Sequence, residues 1–241
     1  MAAFLVNFWR DPDRAIPREQ GILVSPADGH VMFVRRERAT GRRPSKVEME
    51  QQEIDSDALT GDWFPEPLAE PLSFATEQRY EPVAKGEEGP FDVLRVAVFM
   101  SPLDVHVNRA PEKGVLEHLE HRAGKGMKRG PFAPAYKKES QYNERVRSVY
   151  RLGDDTLIEL TQISGALART IVPWIGKGTE VRRGQRIGMI RLGSRVDVRV
   201  PAHRYTCDLI SAESNDPAFP KGAFVQAGST VMFRSNGDEE E

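Results

Sequence analysis

The chain has 241 residues, with 34 Lys and Arg against 36 Asp and Glu, for a formal net charge of −2. A balance this close to zero gives no global pull toward nucleic acid. Charged residues at 29%, with no apolar run near the ~18 residues a spanning helix needs, exclude an integral membrane protein. The single cysteine, Cys207, cannot make an intramolecular disulfide, and no Cys/His spacing matches a zinc site, which indicates a reducing compartment and no structural metal.

The length suits one large β-rich domain or two small ones, and 20 Gly with 17 Pro favour turn-rich sheet over a helix bundle. At the start, Phe4, Leu5, Phe8 and Trp9 beside Arg10 read either as a segment docking into the domain's own core or as an interfacial foot on a membrane. Ile22 to Val34 holds two short apolar runs around Pro26 and Asp28-Gly29, the composition of a β-hairpin with Asp28 at its turn. Residues 35–90 are charged and broken by prolines; they read as an insertion with one short helix from Glu48 to Asp57.

Asp92 to Met100 is a β-branched run ended by Ser101-Pro102, the pattern of a buried strand. Its exit, Ser101 to Pro111, carries Asp104, His106, Asn108 and Arg109 between prolines, and loops leaving rigid strands often carry chemistry. Gly114 to Leu119 suggests another strand, followed by a basic, Gly-rich passage with Lys125, Lys128 and Arg129. Arg145 to Arg151 and Thr156 to Ile163 read as paired strands joined at Leu152 to Asp155. The last third repeats itself: Gly178 to Ile187 and Gly222 to Val231 both read Gly-x-x-Val-x-x-Gly-x-x-(Ile/Val). That spacing describes half of a flattened β-barrel, as in lipoyl and biotinyl carrier domains, and two halves close one. Leu192-Gly193-Ser194-Arg195 near the end of the first half offers no lysine, which speaks against a carrier. The expected fold is therefore mainly β, an α+β chain with few short helices and antiparallel sheets, with the half-barrel repeat around Gly193.

No GxSxG, Walker loop, HExxH, CxxC or GxGxxG occurs. What stands out is Gly193-Ser194 within Met189 to Pro201, together with Ser25-Pro26-Ala27-Asp28-Gly29 and Ser101-Pro102-Leu103-Asp104-Val105-His106. With Phe8-Trp9-Arg10-Asp11-Pro12, Asn143-Glu144-Arg145 and Gln162 to Arg169 in the same order, the chain resembles the phosphatidylserine decarboxylase proenzymes of the short prokaryotic type, from Phe8 to Val231. The resemblance implies a single catalytic domain, 1–241, that cleaves itself into a large chain, 1–193, and a small chain, 194–241. It implies a covalent pyruvoyl group made from Ser194 that forms a Schiff base with the substrate, and conversion of phosphatidylserine to phosphatidylethanolamine and carbon dioxide. A phospholipid substrate further implies peripheral association with the cytoplasmic side of the cell membrane, and a homo-oligomer stays open.

The chemistry of Gly193-Ser194 can be argued apart from the family. A serine hydroxyl held against the preceding carbonyl can break the amide by an N-to-O acyl shift, and glycine admits the backbone angles this requires. β-Elimination and hydrolysis then leave a keto cap, an electron sink like that of pyridoxal phosphate. His106 is the leading base for the hydroxyl proton, with Asp28 as its orienting carboxylate. Arg109 stands where longer relatives carry a second histidine, so either His106 serves both steps or cleavage relies on strain and another group. His203 is the reserve base, while His30, His118 and His121 read as ordinary structural histidines. Asp104 and Asp197 read as turn or strand-edge carboxylates, Asp197 as a candidate for the site's rim, with Arg195 its partner. Lys125, Lys128 and Arg129 become candidates for the substrate phosphate. The rival readings are a pyruvoyl decarboxylase of another serine lipid, archaetidylserine-like, or of a soluble amino acid, and a non-catalytic lipid-binding or carrier module.

Overall fold

A computed structural model of the chain describes residues 9–39, 80–82, 93–122, 134–136, 140, 143–165, 170–191, 193–209 and 222–236. The helix expected from Glu48 to Asp57 and the cations Lys125, Lys128 and Arg129 lie outside these residues. The described chain forms β1 (Ile22–Val24), β2 (Gly29–Ala39), β3 (Tyr80–Pro82), β4 (Val93–Met100), β5 (Val107–Arg109), β6 (Gly114–Arg122), β7 (Arg145–Leu152) and β8 (Leu157–Ile163). It continues with β9 (Ile171–Pro173), β10 (Glu180–Val181), β11 (Arg186–Ile190), β12 (Ser194–Pro201), β13 (Tyr205–Thr206), β14 (Phe224–Val225) and β15 (Val231–Ser235). Among the described residues, no helix is long and apolar enough to cross a membrane.

The strands make three antiparallel sheets. Nine strands run in the order β10-β6-β7-β8-β12-β4-β2-β14, with β3 beside β2; the others are β1-β15-β13 and β5-β11-β9. The mainly antiparallel β expectation holds, as do the buried strand at β4 and the β7–β8 pair. At the centre, β12 lies between β4 and β8, and Val96, Val98, Val196, Val198 and Leu160 join one apolar core. Period-two alternation sends Arg95, Arg195, Asp197 and Arg199 to the opposite face.

That opposite face is also buried, so its charges need partners. Arg95 Nε donates to Asp197 Oδ2 at 2.8 Å, and Arg95 Nη1 to Glu37 Oε1 at 3.1 Å. Arg199 bridges Glu37 and Glu159 at 3.0 and 2.7 Å, and Arg147 meets Glu159 at 3.0 Å. Burial alone would raise the carboxyls of Asp197, Glu159 and Glu37, yet the guanidiniums beside them hold all three below their ordinary values. Asp197 is thus neither at a strand edge nor on a rim: it sits mid-strand in the central strand, paired with Arg195 as the sequence suggested.

The hairpin expected from Ile22 to Val34 does not form. β1 pairs with β15, whereas β2 pairs with β4, β3 and β14, so Ser25 to Asp28 carries the chain from one sheet to another. Gly29 serves a close approach there: a Cβ on it would lie 2.0 Å from the Phe99 carbonyl oxygen. β2 also runs beyond Arg35 to Ala39, and its Glu37 is buried because Arg95 and Arg199 neutralise it.

The internal repeat is structural as well as sequential. Gly184 N donates to Ala110 O at 2.9 Å, and Gly228 N to Ser25 O at 2.8 Å, so each repeat turn is held by the strand exit it faces. The two exits bond each other through Val24 N to Pro111 O and Arg109 N to Pro26 O, at 3.0 and 2.9 Å. This interlock sets Asp28 and the His106 loop side by side.

Candidate active site

Two backbone links frame the site. Met100, the last residue of β4, pairs with Ser194, the first of β12, and Ile190 N donates to His106 O at 3.2 Å. Between these links run Ser101 to Val105 on one arm and, on the other, Arg191 and Gly193, so the loop after β4 and the β11–β12 connection share one mouth.

The Ser101 to Asp104 turn closes on itself: Asp104 Oδ2 accepts from Ser101 N at 2.7 Å, and Asp104 N donates to Ser101 O at 3.0 Å. The turn sets the Asp104 carbonyl 2.8 Å from His106 Nδ1. A carbonyl only accepts, so Nδ1 carries the proton and Nε2 the lone pair, the tautomer a general base requires. His106 is fully buried, and burial pushes its imidazole down to about 4, against a smaller upward pull from Asp104.

This shift has a sign for stability. As pH falls from 6.5 toward 4, the unfolded imidazole takes up a proton before the folded one, so the stabilisation present above 6.5 is lost across that window. In a Ser194→Ala background, thermal unfolding of the proteins with His106 and with His106→Gln should therefore diverge with acid. The protein that keeps His106 is expected to lose roughly 3 kcal/mol more between pH 7 and pH 4; parallel curves would contradict the depressed imidazole.

Ser194 is fully buried at the head of β12, with its hydroxyl 3.5 Å from Met100 Sδ. Gly193 before it has φ +58°, a left-handed conformation that glycine adopts without cost to a side chain. The Gly193-Ser194 dipeptide thus marks the point where the turn from β11 enters the sheet.

Asp28 is placed near the His106 loop but is not bonded as the imidazole's orienter. Its Oδ2 accepts from Arg14 Nη2 and its Oδ1 from Ala227 N, both at 2.7 Å, while His106 Nδ1 is held by a backbone carbonyl. Burial raises the Asp28 carboxyl despite those two donors, and the charge of Asp104 adds to the rise. The Asp28-to-His106 hydrogen bond suggested by triad logic is replaced by a backbone contact, because the tight turn delivers the Asp104 carbonyl first.

Arg109 is structural. Its guanidinium donates to Gly184 O, Asp11 Oδ1 and Pro12 O at 3.0, 2.9 and 3.1 Å, pinning the Arg10-Asp11-Pro12 element onto the repeat turn. His203 is exposed, beyond the far end of β12 from Ser194, roughly 23 Å of strand rise away, which removes it as a reserve base. His30 lies 3.1 Å from the Gly222 carbonyl, His118 beside Glu120 and His121 beside Glu144.

The polar residues that sequence reasoning passed over are Asn108 and Gln162. Gln162 Nε2 donates to Asn108 Oδ1 at 2.7 Å, and the Asn108 amide reaches Met100 Sδ at 3.7 Å and Pro26 O at 3.4 Å. The same Met100 sulfur thus touches Ser194 on one side and Asn108 on the other. Both amides stand in motifs already singled out, but 54 residues separate them, Asn108 on β5 of one sheet and Gln162 on β8 of another, and only the packing of the two sheets brings them together. Among the described residues, no group of three or more His, Cys, Asp and Glu is arranged to hold a metal ion.

The chain was compared with known proteins. A family model described as phosphatidylserine decarboxylase matches residues 1–233. A phosphatidylserine decarboxylase proenzyme of Streptomyces griseus is 53% identical over 142 residues, which cover 58% of this chain and 57% of that protein. One from Streptomyces avermitilis is 38% identical over 203 residues, 83% of this chain and 65% of that protein. One from Erythrobacter litoralis is 33% identical over 234 residues, 97% of this chain and 74% of that protein. The matches thus span less than two thirds of the length of the two Streptomyces relatives. No solved structure matches the chain. The family model spans the Asp28 turn, His106 and Ser194, and the chain belongs to the phosphatidylserine decarboxylase family.

Proposed function

We propose that this chain is a self-processing precursor that breaks its backbone between Gly193 and Ser194, and that the processed protein converts phosphatidylserine to phosphatidylethanolamine and carbon dioxide. The observation that carries the reading is a fully buried serine at the head of a central strand, preceded by a left-handed glycine, in a member of this family. In scission the Ser194 hydroxyl oxygen adds to the Gly193 carbonyl carbon and the C–N bond breaks, the hydroxyl proton passing through a base to the freed nitrogen. Elimination across residue 194 then takes the Cα proton and breaks the Cβ–Oγ bond, releasing Gly193 as a carboxylate, and water turns the enamine left behind into the keto cap and ammonia. His106 is the base we assign, since its Nε2 holds the lone pair in a dry site. With Arg109 committed to Asp11, one imidazole serves both scission and the later return of a proton to carbon.

A pyruvoyl cap on residue 194 supplies a keto carbonyl that accepts the electron pair left when carbon dioxide departs. The surroundings suit such a group: residue 194 is buried, and the Asn108 amide, oriented by Gln162, has only long contacts to Met100 Sδ and Pro26 O with which to spend its N–H groups. Asp28 is kept as the carboxylate that shapes the electrostatics of the mouth together with Asp104.

Peripheral attachment to the cytoplasmic face of the cell membrane is part of the same proposal. Leu103, on one arm of the mouth, and Trp9 are exposed, and the Arg191 guanidinium of the other arm lies 5.6 Å from the Trp9 ring centroid. Apolar side chains beside cations at a site entrance suit an anionic lipid surface. Lys125, Lys128 and Arg129 remain the proposed contacts for the lipid phosphate.

Intact-mass measurement of the purified protein, with carbon dioxide release from vesicles of phosphatidylserine, from vesicles of an archaetidylserine and from free serine, tests the reading. Two chains meeting at 193/194 and release from the phosphatidylserine vesicles are expected. A folded, undivided chain without release contradicts it, and release only from one of the other substrates moves the assignment to that substrate.

A further inference from the structure

Ser164 is a fully buried residue whose hydroxyl has no hydrogen-bond partner among the described residues. Its backbone is fixed: Ser164 N donates to Glu144 O at 2.9 Å, and Ser164 O accepts from Asn143 Nδ2 at 2.8 Å. The β8–β12 ladder ends at the pair Arg195↔Ile163, so Ser164 follows that last pair on one strand and Ser194 precedes it on the other. Ser164 comes two residues after Gln162, whose amide meets Asn108 beside Met100. A donor without an acceptor, held by a rigid backbone beside the scissile residue, is costly to bury and calls for a use.

The undivided chain shows which stage that use belongs to. The Gly193 carbonyl and the Ser194 hydroxyl are both present before scission, and Ser164 Oγ bonds neither. The acceptor is therefore one that arrives later. We infer that the Ser164 hydroxyl is the hydrogen-bond donor reserved for the keto oxygen that processing places on residue 194. This rests on the self-processing reading above and adds a residue to it. Donation to that oxygen draws electron density from the carbonyl and sharpens its reactivity toward an amine.

Ser164→Ala tests the assignment, with hydroxylamine as the amine probe and mass spectrometry following its capture by the cap. The variant is expected to split into two chains like the wild type, to capture hydroxylamine on the order of tenfold more slowly, and to lose kcat with KM little changed. Ser164→Thr keeps the hydroxyl and should restore most of the capture rate. In an uncleavable Ser194→Ala background, removing the unpartnered hydroxyl should leave the melting temperature unchanged or higher, whereas a structural role would lower it.

Equal capture rates in split wild type and split Ser164→Ala overturn this assignment alone. A Ser164→Ala chain that stays undivided while Ser164→Thr divides places the hydroxyl before scission and overturns it as well. A wild-type chain that never divides removes both this inference and the function it rests on.

Discussion

Ser194→Ala is expected to yield one undivided chain of 241 residues that releases no carbon dioxide from phosphatidylserine vesicles. Denaturing electrophoresis beside the wild type reads the first effect, and carbon dioxide capture reads the second. The loss should be complete, because the hydroxyl oxygen is both the attacking atom in scission and the leaving group whose departure creates the cap. It should also be a clean loss. The Ser194 hydroxyl contacts only the Met100 sulfur at 3.5 Å, a weak interaction, so its removal should cost stability no more than about 1 kcal/mol. A Ser194→Ala protein that still divides at 193/194, or still decarboxylates, would sink the proposed chemistry.

The second large effect falls on stability. Asp197 is buried mid-sheet and accepts from Arg195 Nε and Nη2 at 2.5 and 2.6 Å and from Arg95 Nε at 2.8 Å. Asp197→Asn keeps the shape and removes the charge, leaving two buried guanidiniums without their shared carboxylate. Breaking a buried pair in this way costs about 3–5 kcal/mol, so urea unfolding should show a loss of that order. Arg204→Ala, which breaks an exposed pair with Asp154, should cost no more than about 1 kcal/mol. Since the folded Asp197 carboxyl lies below its ordinary value, its contribution is present above pH ~4 and lost as pH falls further, so the two curves should converge in strong acid. Equal midpoints at neutral pH would show that the network is not holding β12.

This matters for the proposed function because Asp197 lies three residues from the proposed scissile bond. Were the chain divided there, residues 194–201 would begin a separate chain, held in place by the ladder to β4 and β8 together with the Arg95–Asp197–Arg195 clamp. A charged face and an apolar face of one strand thus divide the work: odd-numbered residues anchor the strand, and Ser194 presents the chemistry.

Much of this was legible in the residues. β-branched and aromatic runs marked β4, β7 and β8, the Gly-x-x-Val-x-x-Gly repeat marked the paired turns, and the ordered motifs marked Asp28, His106 and Gly193-Ser194 as one group. Local patterns of this kind survive into the fold because strand alternation and turn chemistry act over a few residues. The hairpin at Ile22 to Val34 failed for a reason no local pattern carries: strands that are neighbours in sequence found better partners, β15 and β4, from distant segments.

The amino-acid sequence by itself determined the β class and the repeat turns, which follow from residue type and short spacing, while the dipeptide at which the chain is expected to part follows from the resemblance its ordered motifs carry. Only the tertiary structure decided which polar groups serve that dipeptide: His106 oriented by the Asp104 carbonyl, Asp28 taken by Arg14 and Ala227, Arg109 turned to the N-terminal element, Asn108 joined to Gln162, and Ser164 left without an acceptor. The physical reason is that hydrogen bonds in a dry interior are set by which strands lie side by side, and strand order is a property of the whole packed chain.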